Sequence, residues 1–440
     1  MPDTENLDLE TPDEMHGSTM DRLYASKAGR VRQRKMGGEH GAAADGAPTR
    51  LASAAAAAAF RARHGGTDLM AVAEQPGAYQ ELRGPITKRL HWFEFHDITG
   101  VPLFLRSHTT RVLLSTWTED FSQLPVLAPL LRMVGCLMAA PATLATDIIA
   151  DVLHATQRTT VLDLCSGSGG AMPFVAQALA ARRWMRSPAA APGVQVIMSD
   201  YWPRPLEWAD VVRRTPLPAG YALGYLPERM DALAASGDAA GVGGTDALLA
   251  KAMGIPPETW ARRDDEVGGV APLRTLLLSF HHFRDNEAAR ILRAAVAEDS
   301  PIAIFEFGHP HPLHLLSTVV VLPLYTMLVM LRYWYAIARR AVAASGLVGG
   351  LLGTALTPAF WRDMILTFVV PLIPMMLVWD GVVSGLRFHA PQEVSTWLHA
   401  MPEARRYHWT VGTKWIIPHA IAMSYIVGMP VEPGDGAPER

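Results

Sequence analysis

The chain has 440 residues, half of them apolar, and a formal net charge of −3. This charge argues against the basic face that proteins use to hold nucleic acid, so no nucleic-acid partner is expected. Its two cysteines, Cys136 and Cys165, exclude a disulfide framework and a thiolate metal site, which fits a reducing intracellular compartment. No metal site is predicted.

Residues 1–75 are predicted to form a disordered, low-complexity tail. Its first residues, Met1–Glu14, contain acids and no bases, and a basic stretch rich in glycine and alanine follows as far as Gly66. The acidic start argues against a transit peptide, and no secretory signal is expected. Residues 76–154 are predicted to be a mainly helical N-terminal cap, which includes the aromatic and charged segment Trp92–Asp97.

A glycine-rich turn follows a short apolar strand in the next region. Residues 161–170 read VLDLCSGSGG and precede a predicted helix, Ala171–Ala181. Glycines in such a turn let a ligand approach the backbone, and the start of the helix offers free amide groups. A dinucleotide-binding turn needs a third small residue at position 172, where this chain has Met172. A nicotinamide or flavin cofactor is therefore the weaker alternative.

Four further strands are predicted after this turn, and polar residues follow three of them. The strands are Val194–Met198, Tyr221–Leu226, Leu273–Phe280 and Pro301–Phe307, with an amphipathic helix at Asp285–Val296 between the last two. Asp200 follows the second strand of the region, Asp231 follows the third, and a pair of histidines follows the fourth.

This series of motifs resembles the class I S-adenosylmethionine-dependent methyltransferases over residues 155–307, with Cys165 in place of the first glycine of the turn. The resemblance implies an α/β fold with a doubly wound, Rossmann-like sheet of seven strands, and S-adenosylmethionine as the cofactor. It also implies that Asp200 binds the ribose hydroxyls and that Asp231 and Ala232 contact the adenine amino group. The cofactor-binding residues implied in this way are Asp163, Cys165, Ser166, Gly167, Ser168, Gly169, Asp200, Tyr201, Asp231, Ala232, Ser279 and Phe280.

The strings SFHHF at 279–283 and IAIFEF at 302–307 resemble small-molecule and lipid methyltransferases, including those of quinone biosynthesis. Nucleic-acid N-methyltransferases have an Asn/Asp-Pro-Pro-aromatic motif at this place, and this chain does not. His281 is the first candidate for a catalytic base, with His282 and Glu306 as second choices, because an imidazole titrates near neutrality. Alternatively, His281 lines the cofactor pocket through backbone contacts.

The resemblance further implies that the N-terminal cap covers the cofactor as a lid. Three polar residues of the cap then have two open interpretations. They reach the substrate, or they form hydrogen bonds within the cap or face solvent. These residues are Glu94, His96 and Asp97.

Residues 311–386 are predicted to be a hydrophobic helical insert with two charge-free runs, Leu315–Leu331 and Met364–Trp379. The two runs are compatible with a hairpin that enters one leaflet, with an apolar wall around the substrate pocket, or with helices that span the membrane. The arginines between them argue against translocation of that loop. Residues 387–440 are predicted to complete the core with a helix at 390–401 and an antiparallel hairpin of Tyr407–Ile417 and Ala422–Met429.

The sequence as a whole predicts a methyltransferase that acts on a small apolar or lipid-like acceptor. We expect it to be intracellular and associated with the cytosolic face of a membrane. The alternative function is a catalytically silent methyltransferase fold that serves as a scaffold or membrane-docking subunit.

Overall fold

A computed structural model describes residues 52–72, 89–98, 100–119, 140–186, 193–233, 271–307, 311–417 and 421–431. The strands of these residues are β1 (Thr67–Asp68), β2 (Thr160–Asp163), β3 (Gln195–Met198), β4 (Ala222–Tyr225), β5 (Leu273–Leu277), β6 (Ile302–Glu306), β7 (Tyr407–Ile417) and β8 (Ile421–Pro430). The helices are α1 (Ala54–His64), α2 (Leu69–Val72), α3 (Leu103–Thr118), α4 (Pro141–Ala155), α5 (Met172–Arg186), α6 (Pro205–Arg214), α7 (Asp285–Ala297), α8 (Pro312–Ala355), α9 (Pro358–Met364), α10 (Leu372–Arg387) and α11 (Pro391–His399).

The strands form one mixed sheet in the order β1-β7-β8-β6-β5-β2-β3-β4. The five strands from β6 to β4 pair in parallel, and β8 pairs antiparallel with both β6 and β7. The chain runs outward from β2 through β3 to β4 and then returns to β5 on the other side of β2. The strand order therefore reverses between β2 and β5. In open α/β sheets, ligands bind at the carboxyl ends of the strands beside such a reversal.

Helices cover both faces of the parallel strands, which explains why these strands are nearly continuous apolar runs. One core contains side chains of α4, α5 and α6, and the other contains side chains of α7 and α11. Neighbouring residues of one strand enter different cores, since Val161 lies in the first and Leu162 in the second. The α/β class and the Rossmann-like, helix-covered sheet are therefore confirmed.

The sheet has eight strands rather than the seven predicted from the sequence. The additional strand is β1, which pairs antiparallel with the edge strand β7. It lies within the range predicted as a low-complexity tail, and α1 and α2 lie there too. Helix α1 begins at the N-cap Ser53, whose side chain accepts a hydrogen bond from the amide of Ala56, and it buries Phe60. Long-range burial orders this segment although its composition resembles that of a disordered tail.

The described part of the insert, residues 311–386, is mainly helical. Helix α8 contains a break at Gly346, whose φ of 76° and ψ of 168° reverse the chain. After the reversal, Gly350 lies so close to the first arm that a Cβ there would come within 2.3 Å of the amide nitrogen of Val342. A π-helical turn, Ile365–Val369, follows α9, and α10 packs against α8 and α3 through a core that includes Val112, Met330 and Leu377.

Much of the insert's apolar surface is exposed. Within the described residues, α8 is long and apolar enough to cross a membrane, and only 22% of its most apolar window is buried. The segment Pro358–Val369 with α10 meets the same criteria of length and composition as a pair bent by 59°. A core helix of a soluble protein can also meet them. The earlier apolar stretch Leu124–Ala140, predicted to be a packed helix pair, lies almost entirely outside the described residues.

Candidate functional site

The glycine turn that follows β2 has backbone angles that residues with a side chain rarely adopt. Three of its glycines have positive φ, with values of 54° at Gly167, 102° at Gly169 and 48° at Gly170. A Cβ at Gly167 would meet no atom within 4 Å, so the main chain there is open to a ligand. Trp208 supports the turn from α6, because its indole nitrogen donates a hydrogen bond of 2.9 Å to the carbonyl of Gly167.

Asp163, the last residue of β2, organises the turn from inside. Its carboxylate accepts hydrogen bonds from the hydroxyl of Ser166 at 2.6 Å and from that of Thr275 at 2.9 Å. The side chain is 2% exposed, and this burial raises the pKa of Asp163 to about 7. The structure therefore places Asp163 as a link between the turn and β5, with its carboxylate facing these hydroxyls.

Asp200 follows β3 and reaches the same turn from the neighbouring strand. One carboxylate oxygen accepts the amide of Gly167 at 2.8 Å, and the other accepts the amide of Trp202 at 2.8 Å. A carboxylate offers about four acceptor positions. Asp200 therefore retains capacity for two further hydroxyl donors beside the open glycine backbone.

The other predicted cofactor residues surround this point. Ser168 accepts a hydrogen bond from Arg204 at 3.0 Å, and Asp231 accepts the amide of Leu233 at 2.9 Å. Tyr201 is 42% exposed and lies under the guanidinium of Arg229, which is 4.1 Å from the centre of its ring. Exposed aromatic residues after β3 are suited to stack on a planar ligand.

Cys165, Ser279, Phe280 and Ala232 form the inner side of this region. Burial raises the pKa of the Cys165 thiol, and the nearby carboxylates of Asp200 and Asp163 act in the same direction, which favours the protonated thiol. The hydroxyl of Ser279 is buried beside the Cys165 thiol. Phe280 and Ala232 are both buried in the second core. An acidic acceptor, open glycine amides and a buried hydroxyl fit a ligand with a sugar and a flat base.

A second set of polar residues begins one residue beyond Phe280. Leu278 follows β5 and has a φ of 55°, which is rare for a bulky side chain, and it redirects the chain toward a short 3-10 helix, Phe280–His282. His281 lies against Glu306, the last residue of β6. Glu306 accepts the amide of His281 at 3.1 Å and contacts its Nδ1 at 2.6 Å. The two catalytic candidates at the ends of β5 and β6 are therefore in contact.

The cap contributes two carboxylates to this set. Glu94 lies 3.5 Å from Nε2 of His281 and 3.7 Å from Nε2 of His282, and Asp97 lies 3.3 Å from Nδ1 of His282. We call these five residues, Glu94, Asp97, His281, His282 and Glu306, the His–carboxylate cluster. Among the described residues, the ligand atoms of Glu94, His281 and His282 all lie within 4.8 Å of one another. The sequence predicted no metal site, whereas this grouping is one that can hold an ion.

Arg387, at the end of α10, holds the cap against the cluster. Its guanidinium donates to Glu94 at 3.1 Å, to Asp97 at 3.2 Å and to the carbonyl of Trp92 at 2.8 Å. Asp380, two turns earlier on α10, accepts the amide of Phe95 at 2.7 Å. The insert is therefore part of the site's framework. The sequence predicts that Asp380 and Arg387 line a substrate mouth or pair with one another at the border of the apolar run, and nothing in that pattern indicates their contacts with the cap.

The main chain of the cluster is fixed by Arg89. Its guanidinium donates to the carbonyls of His281 at 3.1 Å and Phe283 at 2.6 Å, and it pairs with Asp285. Glu94 and Asp97 thus fit both interpretations left open by the sequence. They accept hydrogen bonds from Arg387, which holds the cap, and they also face the two histidines. The side chain of His96 lies outside what the structure describes.

Comparisons with known proteins identify no family for this chain. No protein-family model matches it, and no curated protein matches it. Among solved structures, it is similar to the plantazolicin methyltransferase BpumL, whose structure is in complex with SAH. The identity is 9% over 74% of this chain and 96% of that chain, with a TM-score of 0.30. A likeness of this size does not assign a function.

Proposed function

We propose that the protein is an S-adenosylmethionine-dependent methyltransferase of the class I type that acts on a small, apolar or lipid-like acceptor. The proposal depends on one observation. Asp200 contacts the glycine turn next to the point where the strand order reverses. Asp200 retains acceptor capacity where the Gly167 backbone is open, which is what a ribose with two hydroxyls requires. The closing hairpin β7–β8 agrees with the resemblance seen in the sequence.

In this proposal different residues of the site bind different parts of the cofactor. Asp200 binds the ribose hydroxyls, Tyr201, Asp231 and Ala232 border the base, and the turn from Cys165 to Gly169 approaches the rest of the ligand through its backbone. Ser279 offers its buried hydroxyl from the β5 side. When bound, the cofactor supplies an electrophilic methyl group.

The acceptor then enters at the end of β5, beside the His–carboxylate cluster. Methyl transfer is mainly a problem of alignment and of excluding water. The cap segment 92–97, held by Arg387, covers the cluster and contributes Glu94, which is 4% exposed. The polar group of the acceptor contacts the cluster, and the apolar insert receives the remainder. His281, His282 and Glu306 remain the proposed residues for handling the acceptor's proton. Although burial opposes the change, the carboxylates of Glu306 and Glu94 raise the pKa of His281 to about 10, which favours its protonated form.

Equilibrium binding tests the cofactor directly. We expect the full chain, purified in detergent, to bind S-adenosylmethionine and S-adenosylhomocysteine with micromolar dissociation constants in isothermal titration calorimetry, and not to bind NADH. Absence of binding by protein whose circular dichroism shows it to be folded would contradict the proposal and would favour the silent scaffold.

We also propose that the insert associates with a membrane surface. Exposed side chains recur every three or four residues along α8, as on one face of a helix. They include Leu316, Val320, Leu324, Leu328 and Leu331. Both ends of the insert return to the sheet, which favours a hairpin lying in one leaflet over a pair of spans, because the arginines between the runs resist translocation.

Vesicle flotation tests this surface. We expect the double variant Leu324→Glu, Leu328→Glu to lose at least about tenfold in partition to phospholipid vesicles, because two exposed apolar contacts become charged. Leu206→Glu is the matched control, since Leu206 is 88% exposed on α6, away from the insert. Equal flotation of all three proteins would contradict membrane association through α8.

A further inference from the structure

The three side chains Glu94, His281 and His282 present two imidazole nitrogens and one carboxylate to a common point. Nε2 of His281 faces one oxygen of Glu94 at 3.5 Å, and Nε2 of His282 faces the other at 3.7 Å. These separations are too long for good hydrogen bonds and are compatible with ligands around one ion. We propose that this triad binds a divalent transition-metal cation.

The opposite nitrogen of His281 carries the support that metal-binding histidines usually have, because its Nδ1 lies 2.6 Å from Glu306. Nδ1 of His282 lies 3.3 Å from Asp97 and 3.2 Å from the guanidinium of Arg387, so its tautomer is not fixed by a carboxylate alone. A carboxylate at Nδ1 fixes the tautomer that leaves the Nε2 lone pair available to a metal. Both histidines are thus oriented with Nε2 toward Glu94.

A second observation at this nitrogen agrees with a ligand. Nε2 of His281 belongs to a side chain that is 6% exposed, and it makes no hydrogen bond of normal length among the described residues, because the Glu94 oxygen that faces it is 3.5 Å away. Buried polar atoms almost always have a partner, and one without a partner requires an explanation. A coordinated cation satisfies this nitrogen without moving Glu306.

The local charge agrees with a divalent ion. Glu94, Asp97 and Glu306 supply three negative charges, and Arg387 contacts two of these carboxylates with one positive charge. A metal-bound imidazole is neutral, and with both imidazoles in that form the cluster has an excess of two negative charges. Arg387 and the hydroxyl of Ser384 both contact Oε1 of Glu94, whereas Oε2 is the oxygen that faces His282.

The chemistry of the ligands indicates the kind of ion and its use. Two histidines and one carboxylate suit Zn²⁺, Fe²⁺, Co²⁺ or Mn²⁺, and three protein ligands leave coordination positions open. The side chain of His282 is 31% exposed, which gives an entry path on its side. An open position suits an acceptor with a hydroxyl group, whose oxygen the cation would bind as a Lewis acid. His281 is then a ligand rather than a free base.

Metal titration of the full chain tests the site without reference to methyl transfer. Protein depleted of metal with a chelator is titrated with Co²⁺ and with Zn²⁺, followed by the visible absorption of bound Co²⁺ and by calorimetry. We expect one equivalent to bind to the wild-type protein, with an affinity reduced at least about 100-fold in His282→Gln. We expect a loss of about 10- to 100-fold in Glu306→Gln, which removes the support of His281.

The matched control is His399→Gln, which changes an exposed histidine on α11 and should bind the cation like the wild type. Circular dichroism confirms that each variant is folded. The inference is overturned if folded wild-type protein binds less than about a tenth of an equivalent, or if His282→Gln and Glu306→Gln both bind as tightly as the wild type. Because no cofactor is present in the titration, failure to bind S-adenosylmethionine would leave this result intact.

Discussion

Asp200→Ala is expected to bind S-adenosylmethionine about 100-fold more weakly than the wild-type protein, since two charge-assisted hydrogen bonds of about 1.5 kcal/mol each would be lost. Asp200 is placed for this role because its carboxylate lies at the end of β3 and touches the Gly167 amide at 2.8 Å. Calorimetric titration of the variant and of the wild type under the same detergent conditions measures the change.

The matched control is Asp210→Ala, which removes an acid on α6 that pairs with Arg213 and Arg214. Its affinity should equal that of the wild type. Asp163→Asn provides a second comparison, because Asp163 bonds to Ser166 and Thr275 inside the turn. We expect Asp163→Asn to lower thermal stability as well as affinity, whereas Asp200→Ala should change mainly affinity. Equal affinities of Asp200→Ala and the wild type would remove Asp200 from the site.

Arg387→Met is expected to lower the free energy of unfolding by about 3–5 kcal/mol, because it leaves the buried carboxylate of Glu94 without its cation. The side chains of Arg387 and Glu94 are 6% and 5% exposed, so solvent screens the pair little. Chemical denaturation of metal-depleted protein measures the change. The cap segment should also become accessible to proteases, since Arg387 holds the carbonyl of Trp92.

Two further variants separate the ion pair from general damage. Arg387→Met combined with Glu94→Gln should recover part of the lost stability, because the buried residue 94 is then neutral and only Asp97, which is 41% exposed, loses its contact with the arginine. Arg213→Met removes an arginine that is 74% exposed and pairs with Asp210, so it should cost no more than about 1 kcal/mol. A similar loss in Arg213→Met and Arg387→Met would show that burial of the Glu94 pair is unimportant.

The sequence predicted the central strands well because each is a short apolar run that ends in polar or glycine residues. β7 lies at Tyr407–Ile417 as predicted, and α7 begins at the predicted Asp285. Strand β1 could not be predicted in this way. Thr67 and Asp68 have no apolar period, and their extended conformation depends on pairing with Val411 and Thr410 of a distant strand.

The candidate site, like the fold, could be predicted from the sequence only in part. His281 and Glu306 could be anticipated as neighbours because adjacent parallel strands end at the same edge of a sheet. The approach of Glu94 to Arg387 could not, since 293 residues separate them and the contact depends on how the insert packs on the cap. The break of α8 at Gly346 was also invisible, because a single glycine in an apolar helix has several structural meanings.

The edge of the sheet has a consequence for how the chain folds. Segments from the two ends of the described chain meet there, since Ala52 bridges Val431, and Lys414 donates to the carbonyl of His64, which is 350 residues away. Contacts of such sequence separation are slow to form and cannot form before the C-terminal hairpin has been synthesised. During translation β1 must therefore wait unpaired until β7 has been made, although α1 can already pack on α4, where Arg63 and His64 pair with Asp151. The apolar insert emerges from the ribosome during this wait. Early contact of that insert with a lipid surface would protect the nascent chain from aggregation during this interval.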